Sequence, residues 1–89
     1  MSTEEKEILR RVVLGVLAAR HPTAIPLKAV RRWATTETGF AFTDLELESA
    51  LEFWLGDAEP KVACEWDTAG ASKWWSATTA GVRAVERGA

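Results

Sequence analysis

Up to Gly56 the apolar residues of this chain recur at three- and four-residue spacing, the repeat of helices with one buried stripe; from Lys61 to Asp67 they alternate, the repeat of a half-buried strand. That single change of period imposes an α+β order, with helices first and a hairpin after them. The chain has 89 residues, enough for one domain and a modest core, since unaided cores become adequate at about 70 residues. Five Trp and three Phe help to fill that core, because large rings bury much area per residue.

The best-specified helix runs from Phe42 to Gly56. Thr43 and Glu46 form a Thr-x-x-Glu capping box, Phe42 and Leu47 stand where a hydrophobic staple would join them, and Gly56 is placed for a left-handed stop. Leu47, Ala50, Leu51, Trp54 and Leu55 share its inner face, with Leu51 and Trp54 expected to be deeply buried. A first helix starts at the capping box Ser2-Thr3-Glu4-Glu5 and continues to about Arg20, with Ile8, Leu9, Val12, Val13, Val16 and Leu17 inward and Arg10, Arg11 and Leu14 on the opposite side. His21-Pro22 ends it, because proline disfavours helical geometry in the residue before it. Thr23 to Pro26 offers only a very short extended piece. Pro26 then opens a second helix with Leu27, Val30 and Ala34 inward, followed by a connecting turn at Thr35 to Gly39.

In the alternating stretch, Val62, Cys64 and Trp66 share one face, and Ala63, Glu65 and Asp67 the other with Lys61. Thr68-Ala69-Gly70-Ala71 is a tight connection, and Ser72 to Ala77 is the return strand. Thr78 caps a last short helix through Arg87, with Val82 and Val85 inward and Gly88 at its stop. Cys64, the only cysteine, reads as an inert core thiol, and with no partner for an internal disulfide it points to a reducing setting. The start Met1 to Glu5 has neither the basic region nor the apolar run of a signal peptide, so a cytoplasmic location is expected. No apolar run approaches the roughly 20 residues that cross a bilayer.

Three helices, a two-stranded hairpin and a closing helix resemble the winged helix-turn-helix superfamily, from Ser2 to the end of the chain. Trp75-Ser76-Ala77-Thr78-Thr79-Ala80-Gly81 is similar to the aromatic-x-Leu-Thr-x-x-Gly sequence with which many winged-helix regulators leave the wing, with Ala77 in place of the usual Leu. The resemblance implies a third helix that reads DNA, with Leu45, Glu46, Glu48, Ser49, Glu52 and Phe53 toward the groove. It also turns Trp75 and Ala77 inward and Trp74 outward beside Ser72 and Ser76.

Charge is strongly segregated. Residues 1–35 carry seven Lys or Arg against three Glu, residues 36–60 seven acids and no base, and residues 61–89 four bases against three acids. Two functions follow. A regulator that binds duplex DNA would use the basic outer stripe Lys28, Arg31 and Arg32, with Arg10 and Arg11 near it, and Lys61, Lys73 and Trp74 of the wing. The acidic third helix opposes this pose, because phosphates repel carboxylates and phosphate contacts need Lys or Arg. A protein-interaction module without DNA binding would instead use Leu45, Glu48, Ser49, Glu52 and Phe53, where acids and large apolar groups mix. Leu45 and Phe53 can equally be packed away, Leu45 against the second helix and Phe53 under the wing. No phosphate loop, catalytic carboxylate pair or metal-ligand spacing occurs, and His21 has no second ligand within reach, so a non-enzymatic role without cofactor or metal is expected.

Overall fold

The computed structural model describes residues 2–70 and 72–88; Ala71, assigned above to the hairpin connection, lies outside them. The elements are α1 (Thr3–Ala18), β1 (Ile25–Pro26), α2 (Leu27–Thr38), α3 (Asp44–Leu55), β2 (Val62–Trp66), β3 (Lys73–Ala77) and α4 (Thr79–Glu86). Four helices pack on a three-stranded antiparallel sheet of order β1-β3-β2. The hairpin expected to be two-stranded thus gains a third strand. The short extended piece pairs with the free edge of β3, Ile25 opposite Trp75 and Pro26 opposite Trp74, and an edge is where a residue without an N–H is tolerated.

Helix α1 lies at the centre, touching α2, α3, α4 and β3. A helix covered on so many sides buries more than one stripe, and Leu14, expected on the outer side, is fully buried with Leu9, Val13, Val16 and Leu17. Its cover comes from α4, where a Cβ on Gly81 would stand 3.3 Å from Leu14 Cδ1 and 2.0 Å from the Lys61 carbonyl oxygen. Only glycine allows that approach. The same junction is locked by hydrogen bonds, since Thr78 N–H donates to the Lys61 carbonyl at 3.0 Å and Thr78 Oγ1 donates to the Pro60 carbonyl at 2.6 Å. Thr78 also caps α4 by accepting from Gly81 N–H.

The capping box of α3 is complete in both directions. Gly56 closes that helix without the expected left-handed turn, at φ −82°, with its N–H on the Glu52 carbonyl. At the end of α2, where a connecting turn is expected, the helix runs on through Thr35–Thr38 and stops at Gly39 with a left-handed φ of +76°. Thr36 and Thr38 return their hydroxyls to the carbonyls of Arg32 and Ala34, which satisfies them inside a helix. On α3, Leu47, Ala50 and Leu51 are buried as expected. Trp54 is only half-buried: its indole N–H donates to the Arg10 carbonyl at 2.7 Å, holding the ring over the edge of α1.

The hairpin register pairs Val62 with Ala77, Cys64 with Trp75, Glu65 with Trp74 and Trp66 with Lys73. Trp75 and Ala77 are buried and Trp74 is exposed, the alternation expected of them. The inner face tapers toward the tip, however, and Trp66, expected in the core, is 60% exposed. Opposite it α2 and α3 leave an open groove lined by Leu27, Lys28 and Glu48, so alternation continues without close packing. Lys73 covers part of the ring instead, its ammonium 5.5 Å from the centroid. Cys64 sits midway along this taper, half-buried, and burial holds its thiol above its ordinary pKa, in the unreactive protonated form. None of the helices among the described residues is long and apolar enough to cross a membrane.

Candidate interaction surface

The cations that the charge pattern groups together do not converge on one face. Arg31 is bound to the Asp44 carboxylate at the start of α3. Lys61 sits at the base of the hairpin, its ammonium 3.1 Å from Asp57 Oδ2 and 2.9 Å from the Glu59 carbonyl. The lysine holds the Asp57 carboxyl below its ordinary pKa. Arg10, expected beside the basic stripe, lies over the Phe53 ring at 3.9 Å. Trp74 faces the other side of the sheet, opposite Glu65. Lys28 and Arg32 are exposed, as is Arg11. The structure does gather Lys28 and Lys73 into one groove of about 340 Å³ between α2, α3 and the hairpin, together with Trp66 and Glu48. A carboxylate therefore lines the same groove as the two cations that would take phosphates there.

The other face is built differently. Along the outside of α3, Leu45 is 73% exposed and Phe53 47%. Neither is packed away as the sequence allowed: Phe53 is covered on one face by Arg10 and meets Trp54 edge-on at 5.1 Å, while Leu45 stands free on the rim of a groove of about 260 Å³ between α1 and α3. Ser49 and Arg10 line that groove, and Glu52 is exposed beyond it. Glu48 is not part of it; it turns to the opposite flank, toward the hairpin. Glu46 closes the near end, and the Thr43 N–H that donates to it holds its carboxyl below the ordinary pKa. The helix thus starts with a negative charge at the rim of a groove that Lys6 and Arg10 also line.

Two further large apolar residues near this face are exposed. Phe40 is 68% exposed and Ile8 49%. Ile8 belongs to the apolar stripe of α1 by spacing, but the stripe outruns the helices that cover it. Phe40 lies in a short connection that also contains Phe42, and only Phe42 is drawn onto the core. The pairing of two aromatic residues in so short a loop is the one hint that one of them must remain outside. Among the described residues no group of His, Cys, Asp and Glu is placed to hold a metal ion. Compared with known protein families, curated proteins and solved structures, the chain matches none.

Proposed function

We propose that the chain is a non-enzymatic winged helix-turn-helix module that docks a protein partner on the outer face of α3. The order of elements supports the winged-helix part, with three helices, a hairpin joined by a minimal β1, and a closing helix capped by Thr78. The observation that carries the docking reading is the exposure of Leu45 beside the α1–α3 groove, with Phe53 further along the same helix. Each Å² of apolar surface removed from water is favourable by roughly 25 cal/mol, and large apolar groups flanked by polar ones are what interface cores are made of. Glu46 and Glu52 border the apolar groups while Lys6 and Arg10 line the groove itself, so the partner that fits presents apolar side chains flanked by charges of both signs.

Lys28 and Lys73 with Trp66 favour a second reading, duplex DNA, since cations beside an exposed indole suit phosphates and bases. Glu48 in the same groove, and the engagement of Arg31 and Lys61 within the molecule, weigh against it.

A photo-crosslinking residue at Ser49 in the full chain identifies the partner, whose purified form is then titrated directly. Leu45→Ser and Phe53→Ser are expected to weaken that binding by about tenfold or more each. Generic duplex DNA at low salt is expected to bind negligibly. Appreciable DNA binding, with log affinity falling on log salt by about 0.9 per phosphate neutralised and lost on Lys28→Ala with Lys73→Ala, would replace this reading by the second.

A further inference from the structure

We infer that the molecule carries a second docking site, a groove at the end of the helical layer that takes a basic amphipathic segment of another protein. The groove, of about 510 Å³, lies between the start of α1 and the connection from α2 to α3. Its apolar lining is Ile8, Phe40 and Phe42, and its polar rim is Glu4, Glu5 and Glu46. Phe40 is not exposed by looseness. Gly39 turns the chain in the left-handed region, and the Phe40 N–H is tied to Thr38 Oγ1 at 3.1 Å, which itself donates to the Ala34 carbonyl at 2.8 Å. Just beyond, the capping box anchors Thr43. The connection is thus fastened at both ends by bonds between its backbone and neighbouring side chains, and the backbone that carries the exposed Phe40 is fixed, which reduces the ordering cost of binding.

Charge decides the occupant. Among the described residues no Lys or Arg lines this groove, whereas Lys6 and Arg10 line the one between α1 and α3. Three carboxylates around an apolar floor repel nucleic acid and acidic peptides. They complement a helix or turn that sets two or three apolar side chains at helical spacing beside Lys or Arg. The site shares only Glu46 with the Leu45 groove and does not depend on it.

The test uses the full ¹⁵N-labelled chain and, as probe, a synthetic amphipathic peptide of Leu and Lys. Amide shifts are expected at Ile8, Phe40, Ala41 and Phe42, with affinity that falls as salt rises. Phe40→Ser, at an exposed position, is expected to keep the folded circular dichroism spectrum and to weaken binding by about ten- to a hundredfold. Glu4→Gln with Glu5→Gln is expected to lower the affinity and flatten its salt dependence. Equal binding of a peptide with Glu in place of Lys would overturn the inference, as would no binding at low salt. Shifts confined to Leu45, Ser49 and Phe53 would also overturn it, while leaving the α3 reading intact.

Discussion

Helices α2 and α3 have the same length, twelve residues each, and both lay an apolar stripe against α1, yet their outer faces end in opposite states. On α2 the charged face is partly spent inside the molecule: Arg31 is taken by Asp44, and Trp33 at its flank lies under the Arg20 guanidinium at 3.9 Å. On α3 the apolar groups are the ones left over. Among the described residues Glu48 and Glu52 have no ion-pair partner, and Leu45 has no apolar cover. A charged stripe in a sequence shows which side faces water. It does not show which charges remain available, and here the face with the wrong sign for DNA is the one with surface to offer.

The comparison is sharpened first where both helices meet the core. Leu51 of α3 is fully buried, so Leu51→Ala is expected to cost about 2 to 5 kcal/mol through lost burial and an unfilled cavity. Arg32→Ala, exposed on α2, is expected to stay within about 0.5 kcal/mol. Denaturant midpoints for the pair test this, and a Leu51→Ala effect no larger than that of Arg32→Ala would mean the inner face of α3 is assigned wrongly.

The outer face of α3 should separate binding from stability. Leu45→Ser with Phe53→Ser is expected to cost about 1.4 kcal/mol or more in partner affinity per residue. The same change at Leu45 should alter unfolding by only about 0.5 kcal/mol, because Leu45 has little burial to lose. Isothermal titration beside thermal unfolding would break the comparison if stability fell as steeply as affinity.

The two helix starts differ as well, since Pro26 offers α2 no side-chain cap whereas Thr43 and Glu46 serve α3 reciprocally. Thr43→Ala is expected to cost about 1 kcal/mol. Glu46 adds a pH signature. Its folded pKa lies below the ordinary value because the Thr43 N–H donates to the carboxylate. Its contribution is therefore complete above the ordinary glutamate range and is lost as pH falls through the folded value. Acid titration of stability should be shallower there in Glu46→Gln; an identical profile would show that the reciprocal bond does not operate in solution.

The smallest effect is expected where the two helices touch. The Arg31–Asp44 pair is exposed on both sides, so Arg31→Ala should cost about 0 to 1 kcal/mol and less in high salt. A double-mutant cycle with Asp44→Ala measures the coupling, and a value well above 1 kcal/mol would make the pair a strut between α2 and α3 and not a surface contact.

Much of the architecture could be read locally. The Thr43–Glu46 box and the Thr78 cap each depend on atoms within one helical turn, and the placing of Trp74 and Trp75 on opposite faces follows from strand alternation, so the residues that specify these features stand next to them. Gly56 lacks the left-handed turn expected of it because a glycine ends a helix with or without positive φ, and the run of Thr before Gly39 reads as a turn until its hydroxyls find carbonyls inside the helix.

What the sequence alone determined about this protein is thus the type, order and caps of its elements and the segregation of its charges, all set by hydrogen bonds and periodicities within a few residues. Tertiary structure decided which faces those elements share. Leu14 is buried because α4 returns to cover α1, Ile8 and Trp66 are exposed on the walls of open grooves between elements, and the two halves of the Arg10–Phe53 contact meet only after α1 and α3 have packed. Burial and charge pairing depend on what arrives from dozens of residues away, and a periodicity carries no record of that distance.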